Sequence, residues 1–182
     1  MTAAGKKETG KDPPEGSEKV PVKVENVLMS SQGPVVLLTP QNGAFQGRVL
    51  PIFIDHSQAL NIQIALEGEI SPRPMTHDLF SAVLNELGAI VDRVVIEELT
   101  QNTFYASLFV QIERNGKADV RRFDARPSDC IALAVRVNAP IEVRKSVMES
   151  ASIKRTDLVR EDEPLQPDTD ADEGDTDLGV TR

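Results

Sequence analysis

A chain of 182 residues, 40% of them hydrophobic, is long enough for one domain with a proper core plus tails. Its net charge of −9 is concentrated at one end: residues 161–182 carry nine acids against Arg182, whereas residues 20–160 carry 15 basic and 16 acidic groups. No run of about 18 apolar residues is available to span a membrane, the N-terminus lacks the apolar stretch of a secretory signal, and the single cysteine, Cys130, excludes an internal disulfide and a cysteine-cluster metal site. A cytoplasmic location is expected.

Residues 1–18 are rich in Gly, Pro, Lys and Glu and cannot bury enough surface to offset their ordering, so a disordered N-terminal tail is expected. Residues 19–158 then form the domain, and 159–182 form an acidic, disordered C-terminal tail. Within the domain, residues 20–29 partly alternate and predict a strand; VVLL at 35–38 predicts a second, followed by a loop from Pro40 to Gly43. RVLPIFI at 48–54 predicts a third, with Pro51 implying an edge or a bulge. A helix is expected over 56–67, stopped by Gly68. Pro72 and Pro74 stiffen the next loop. Thr76 is the expected N-cap of a helix over 77–87, ended by Gly88. On that helix Leu79, Phe80, Val83, Leu84 and Leu87 form one stripe, with His77 at its edge and Asp78 opposite.

Residues 89–99 and 103–113 read as paired strands, and Asn115-Gly116 is a hairpin signal leading into a strand at 118–124. The helix expected at 128–137 is apolar on nearly every side, which predicts a central, covered position; Asp129 and Arg136, seven apart, share its only polar stripe. Residues 140–143 predict a short strand, and 145–157 a weakly determined helix. Together these elements predict an α+β fold: one compact domain, a meander-rich mixed sheet packed by three or four helices.

Two strings share one plan. RPMTHDL at 73–79 and DARPSDCIALAV at 124–135 each place Arg-Pro, a hydroxyl residue and Asp at the mouth of a helix. Free backbone N–H groups, a cation and a carboxylate there suit phosphate chemistry. At the first mouth, Arg73 and Thr76 are candidate binding groups, and His77, one of two histidines, is a candidate general acid or base near neutral pH. Capping by Thr76 and Asp78 explains the same residues structurally. At the second, the apolar helix predicts that Asp124, Arg126 and Asp129 are partly buried, and buried charges need partners. An internal Arg126–carboxylate network explains them. So does a site in which Asp124 and Asp129 hold a divalent cation such as Mg2+ while Arg126 and Ser128 bind a phosphate. His56 reads as a surface or capping residue, and Cys130 as a small core residue. Neither GxxxxGK[ST] nor a GxGxxG after a strand occurs.

RVLPIFI at 48–54, RPMTHDLF at 73–80, LGAIVDRVVIEEL at 87–99, FYASLFV at 104–110 and DARPSDCIALAVRVNAPIEV at 124–143 together resemble the bifunctional nuclease family over roughly residues 20–150. The resemblance implies a compact α+β domain that assembles at least as a homodimer and cleaves both DNA and RNA. Matching positions in its strongest motifs are Arg73, Pro74, Thr76, His77 and Asp78, then Asp124, Arg126, Pro127, Ser128 and Asp129. The chain departs from the family pattern where Asp55 and Gln58-Ala59 stand in place of a Gly and a Glu-Ala pair, and where Cys130 replaces a common Ala. The expected function is therefore a nuclease of low sequence preference. Arg73, Thr76, Arg126 and Ser128 would bind substrate; Asp78, Asp124 and Asp129 would supply carboxylates, and His77 would handle a proton. The alternative is a non-enzymatic oligomeric scaffold or a regulatory module responsive to a small anion, which the near-neutral domain and scarce aromatics favour.

Overall fold

The computed structural model describes residues 18–158 apart from residues 70 and 115, so both expected tails lie outside the described residues. In chain order the elements are β1 (Lys19–Ser30), β2 (Gly33–Pro40), β3 (Arg48–Phe53), α1 (His56–Glu67), α2 (Thr76–Glu86), β4 (Ala89–Thr100), β5 (Thr103–Arg114), β6 (Lys117–Ala125), α3 (Pro127–Val137), β7 (Ile141–Arg144), α4 (Lys145–Ala151), β8 (Ile153–Lys154) and α5 (Arg155–Leu158). The strands form one mixed sheet in the order β6-β5-β4-β7-β1-β2-β3-β8. β4 and β7 run parallel, and the other neighbours pair antiparallel. No helix among the described residues is long and apolar enough to cross a membrane.

Local chemistry sets most boundaries. Gly68 caps α1 at φ 65, a left-handed conformation that costs glycine little. Arg114 faces Lys117 across the turn between β5 and β6, as the Asn-Gly signal requires. β8 pairs only Arg48 and Val49, so β3 beyond it is an edge, which accommodates Pro51. The helix expected over 145–157 is instead divided. Ser152 is extended, Arg48 donates to both its hydroxyl and its carbonyl, and residues 153–154 add to the open edge of β3. An unpaired strand edge recruits backbone partners, and that gain outweighs a weak helical preference.

The main core joins alternate residues of the sheet, among them Val36, Leu38, Val94 and Ile96, to Ile62 of α1 and Cys130, Ile131 and Leu133 of α3. α3 is covered as its composition requires: Cys130, Ile131, Ala132 and Ala134 are no more than 1% exposed. α2 behaves differently. Its stripe has the expected register, but Leu79, Phe80, Val83 and Leu87 are exposed, and only Leu84 packs on the core.

Candidate functional site

The starts of α1, α2 and α3 converge. α3 opens with Pro127 at its first position, where a missing N–H costs nothing, behind the extended N-cap Arg126. Arg126 turns its guanidinium back onto Asp129: Nε donates to Oδ2 at 2.8 Å and Nη2 to Oδ1 at 3.3 Å. This two-point contact holds the guanidinium even further above its ordinary pKa, with the nearby charge of Asp55 adding to the effect. Asp129 Oδ1 also lies 3.2 Å from His77 Nε2 on α2. His77 is 16% exposed at its side chain, and its other ring nitrogen, Nδ1, is buried without a hydrogen-bond partner.

Asp55 closes α1 with a capping box. Its carboxylate accepts from Gln58 N–H at 2.8 Å and Ser57 Oγ at 2.7 Å, while Gln58 Oε1 accepts from Asp55 N–H at 3.1 Å. The Ser57 hydroxyl, then the Gln58 N–H, hold the Asp55 carboxyl below its usual range, with Arg126 contributing from α3. Gln58 therefore serves the cap, a role the sequence reading did not give it. His56 is exposed, in keeping with a surface position.

α2 corrects one expectation. Its N-cap is Met75, not Thr76; Thr76 is the first helical residue and is exposed. Met75 has no side-chain oxygen, so Asp78 supplies the reciprocal bond instead, accepting from Met75 N–H at 2.9 Å. The other Asp78 oxygen accepts from Arg136 Nε at 2.6 Å. Arg136 is only 8% exposed, and its Nη1 donates to the carbonyls of Asn61 and Ala132. The bond from Arg136, foremost, keeps the Asp78 carboxyl below its ordinary value. The two charged residues of α3 thus both take partners from the first turn of α2: Asp129 meets His77, and Arg136 meets Asp78.

A second correction concerns depth. Arg126, 66% exposed at its side chain, and Asp124 stand at the surface, whereas Asp129, at 32%, is partly buried as expected. The physical reason is that β6, which leads into α3, is the outer strand of the sheet, so the chain enters the helix from the surface. Asp124 has no hydrogen-bond or ion-pair partner among the described residues, and neither does exposed Arg73. Ser128 by contrast is buried. Burial, then the charges of Asp129 and Asp124, push the Cys130 thiol up to about 12, which places both carboxylates near the same turn.

The candidates therefore separate into two groups. Asp129 contacts both His77 and Arg126 near the surface, and the charge of Asp124 reaches the same turn of α3. Asp78 is spent on Arg136 and Met75. No group of three or more His, Cys, Asp or Glu side chains able to hold a metal occurs among the described residues. The oxygens of Asp129 are already engaged by Arg126 and His77, so the carboxylates among the described residues do not form a ready divalent-cation cage.

Against this geometry the likenesses to other proteins become informative. The profile of the bifunctional nuclease domain matches residues 36–156. An uncharacterized protein of Mycobacterium tuberculosis is 40% identical over 138 residues, covering 71% of this chain and 78% of its own length. Bifunctional nuclease 2 of Oryza sativa subsp. japonica is 27% identical over 135 residues, 74% of this chain but 41% of that protein. Bifunctional nuclease 1 of Arabidopsis thaliana is 27% identical over 121 residues, 66% of this chain and 36% of that protein. The matched span contains the starts of α1, α2 and α3 with every residue of the cluster between them, and the chain belongs to the bifunctional nuclease domain family.

Proposed function

We propose that the protein is a nuclease, hydrolysing phosphodiester bonds of DNA and RNA with little sequence preference in the cytoplasm. The observation that carries this is the open contact of His77, Asp129 and Arg126 at converging helix starts, in a chain of the bifunctional nuclease domain family. Arg126 is the phosphate-binding group. Its bond to Asp129 is a solvent-exposed ion pair, weakened by water and salt, so exchanging that carboxylate for a substrate phosphate costs little. Arg73, without a side-chain partner among the described residues, is a second cation on the segment that leads to His77, and Thr76 adds an exposed hydroxyl there. Once Arg126 moves to the substrate, Asp129 and His77 share a proton across 3.2 Å and act as one acid–base pair, while Asp124 offers an unpaired carboxylate to an attacking water. Buried Ser128 and the engaged Asp78 support this cluster rather than touch substrate. A divalent cation enters the mechanism only if substrate phosphate completes its ligand set.

The test uses homogeneous protein on single-stranded DNA and RNA, with and without Mg2+. His77→Ala and Asp129→Asn should each lower the cleavage rate by about 10²–10⁴-fold, and binding should weaken as salt rises. Undiminished cleavage by both variants would remove these roles.

The active unit in this proposal is a homodimer. Leu79, Phe80, Val83 and Leu87, on one stripe of α2, are 42–72% exposed and present on the order of 400 Å² of apolar surface. That area supplies the apolar centre of an interface of about 800 Å² per partner. Val83→Glu should shift the light-scattering mass to that of one chain. A single-chain mass for the wild type at micromolar concentration would refute the assignment.

A further inference from the structure

A cleft of about 380 Å³ opens beside β1, β2 and α5, and none of the residues lining it belongs to the cluster at the helix starts. Its charges do not balance. Lys23, Arg48 and Arg155 face a single carboxylate, Glu25. Arg155 consumes that carboxylate with two donors, Nη1 to Oε2 at 2.9 Å and Nη2 to Oε1. Arg48 donates to the hydroxyl and the carbonyl of Ser152, both neutral, so its charge is not cancelled by them. Lys23 is exposed and has no partner among the described residues. Two positive charges are therefore left over in one concavity.

Thr39 adds an independent sign. It is 7% exposed, it lines the cleft, and its Oγ1 is buried with no hydrogen-bond partner. A buried hydroxyl without a partner is costly, and such groups are rare unless something completes them. The threonine shares its sheet face with Val35 and Leu37, which pack on Ile153 and Leu158, while the intervening Val36 and Leu38 face the core that contains α1 and α3. The cleft is thus a separate feature of the fold and not an extension of the nuclease cluster.

We propose that this cleft binds a phosphate group. A tetrahedral dianion matches the two uncancelled charges, and its oxygens accept from the Lys23 ammonium, the remaining guanidinium nitrogen of Arg48 and the Thr39 hydroxyl. The volume exceeds that of the bare ion and lies within the range of small-molecule sites, which favours a phosphomonoester over free phosphate.

Titration calorimetry at constant ionic strength, using inorganic phosphate in one arm and ribose 5-phosphate in the other, tests the site on the full chain. Saturable binding is expected, tighter for the ester. Lys23→Ala should weaken it about tenfold and Thr39→Val severalfold, while Lys117→Ala, an exposed cation on β6 outside both sites, should leave it unchanged. Lys23 is exposed, so its variant folds even if the threonine variant does not. Tighter binding of inorganic phosphate would assign the site to the free ion, with the same residues. Failure of both probes to bind below about 10 mM would overturn the proposal, as would affinity lost in Lys117→Ala but unchanged in Lys23→Ala. The cleavage assays do not enter this test, so the two proposals fail separately.

Discussion

Asp78→Asn should destabilise the fold by about 2–3 kcal/mol at pH 7, and the difference from the wild type should narrow in acid. Arg136 is 8% exposed at its side chain, and Asp78 is its carboxylate partner, at 2.6 Å. The other bonds of Arg136 go to the carbonyls of Asn61 and Ala132, which carry no charge. Removing one partner of a fully buried ion pair costs about 3–5 kcal/mol. Asp78 is 37% exposed, so water screens part of the interaction, and the expectation is reduced accordingly. The sign of the pH dependence follows from the direction of the shift. Arg136 holds the Asp78 carboxyl below its ordinary value, so folding favours the ionised form. That stability is complete above the unfolded pKa of about 3.9 and is lost as the pH falls through the lowered folded value.

Urea denaturation followed by far-ultraviolet circular dichroism at pH 7, 5 and 3 measures this. At pH 7 and 5 the midpoint should fall with little change in slope, and the melting temperature should drop by roughly 5–10 °C. At pH 3 the gap should be narrower than at pH 7, because the unfolded carboxyl is then largely protonated and the advantage of the ionised native form shrinks as the pH falls toward its lowered folded value. Arg136→Met closes a double-mutant cycle, in which a coupling of at least about 1 kcal/mol is expected. A loss under about 0.5 kcal/mol at pH 7, or a gap as wide at pH 3 as at pH 7, would show that this pair does not join α2 to α3 in the manner described.

Other expectations rest on separate features. Asp55→Ala removes the carboxylate oxygen that accepts from the Gln58 N–H and the Ser57 hydroxyl and should lower the urea midpoint, with hydrogen exchange accelerated first at the Gln58 N–H. Uniform acceleration along α1 would contradict a capping role. Cys130 should resist aromatic disulfide reagents at pH 8, since its thiol is buried and pushed up to about 12; labelling should track unfolding in urea, and prompt labelling of the native protein would contradict its burial. Gly68→Ala forces a side chain into a left-handed turn at φ 65 and should cost about 1 kcal/mol, measurable as a lower urea midpoint; an unchanged midpoint would mean that the end of α1 relaxes elsewhere.

Much of the fold was legible because its signals are local. Gly68, the Asn-Gly signal and Pro51 each act through the backbone of their own segment: the first ends a helix, the second joins β5 to β6, and Pro51 lies in a strand with an open edge. The all-round apolar composition of 128–137 correctly placed α3 in the core, and the spacing of Asp129 and Arg136 correctly isolated its one polar stripe. What was not legible depends on distance along the chain. Asp55 and Arg126 influence each other across the convergence of α1 and α3, and no periodicity reports that. Asp78 and Asp129 occupy equivalent places in two similar strings, yet one is spent on a buried arginine and the other on an exposed one. The difference is set by which helix each carboxylate meets. Likewise β8 exists because β3 leaves an edge open, a fact about its neighbour and not about residues 153–154.

α2 carries this point furthest. At about 100° per residue, His77, Asp78, Ser81, Leu84 and Asn85 fall on one arc, and Leu79, Phe80, Val83, Glu86 and Leu87 on the other. The first four of the former are half-buried, and all of the latter are exposed. The helix is therefore inverted: its more polar side meets α3, and its apolar side meets the outside. Turning it over would bury the leucines but would strip Arg136 of its carboxylate and Asp129 of His77. An unpaired buried arginine costs several kcal/mol, comparable to what one or two buried leucines return, so the polar contacts hold the orientation. The exposed stripe is the surface that the proposed homodimer would cover. A second copy of α2 carries the same stripe by construction, and because His77 opens the same helix, the partner that covers the stripe would also border the site.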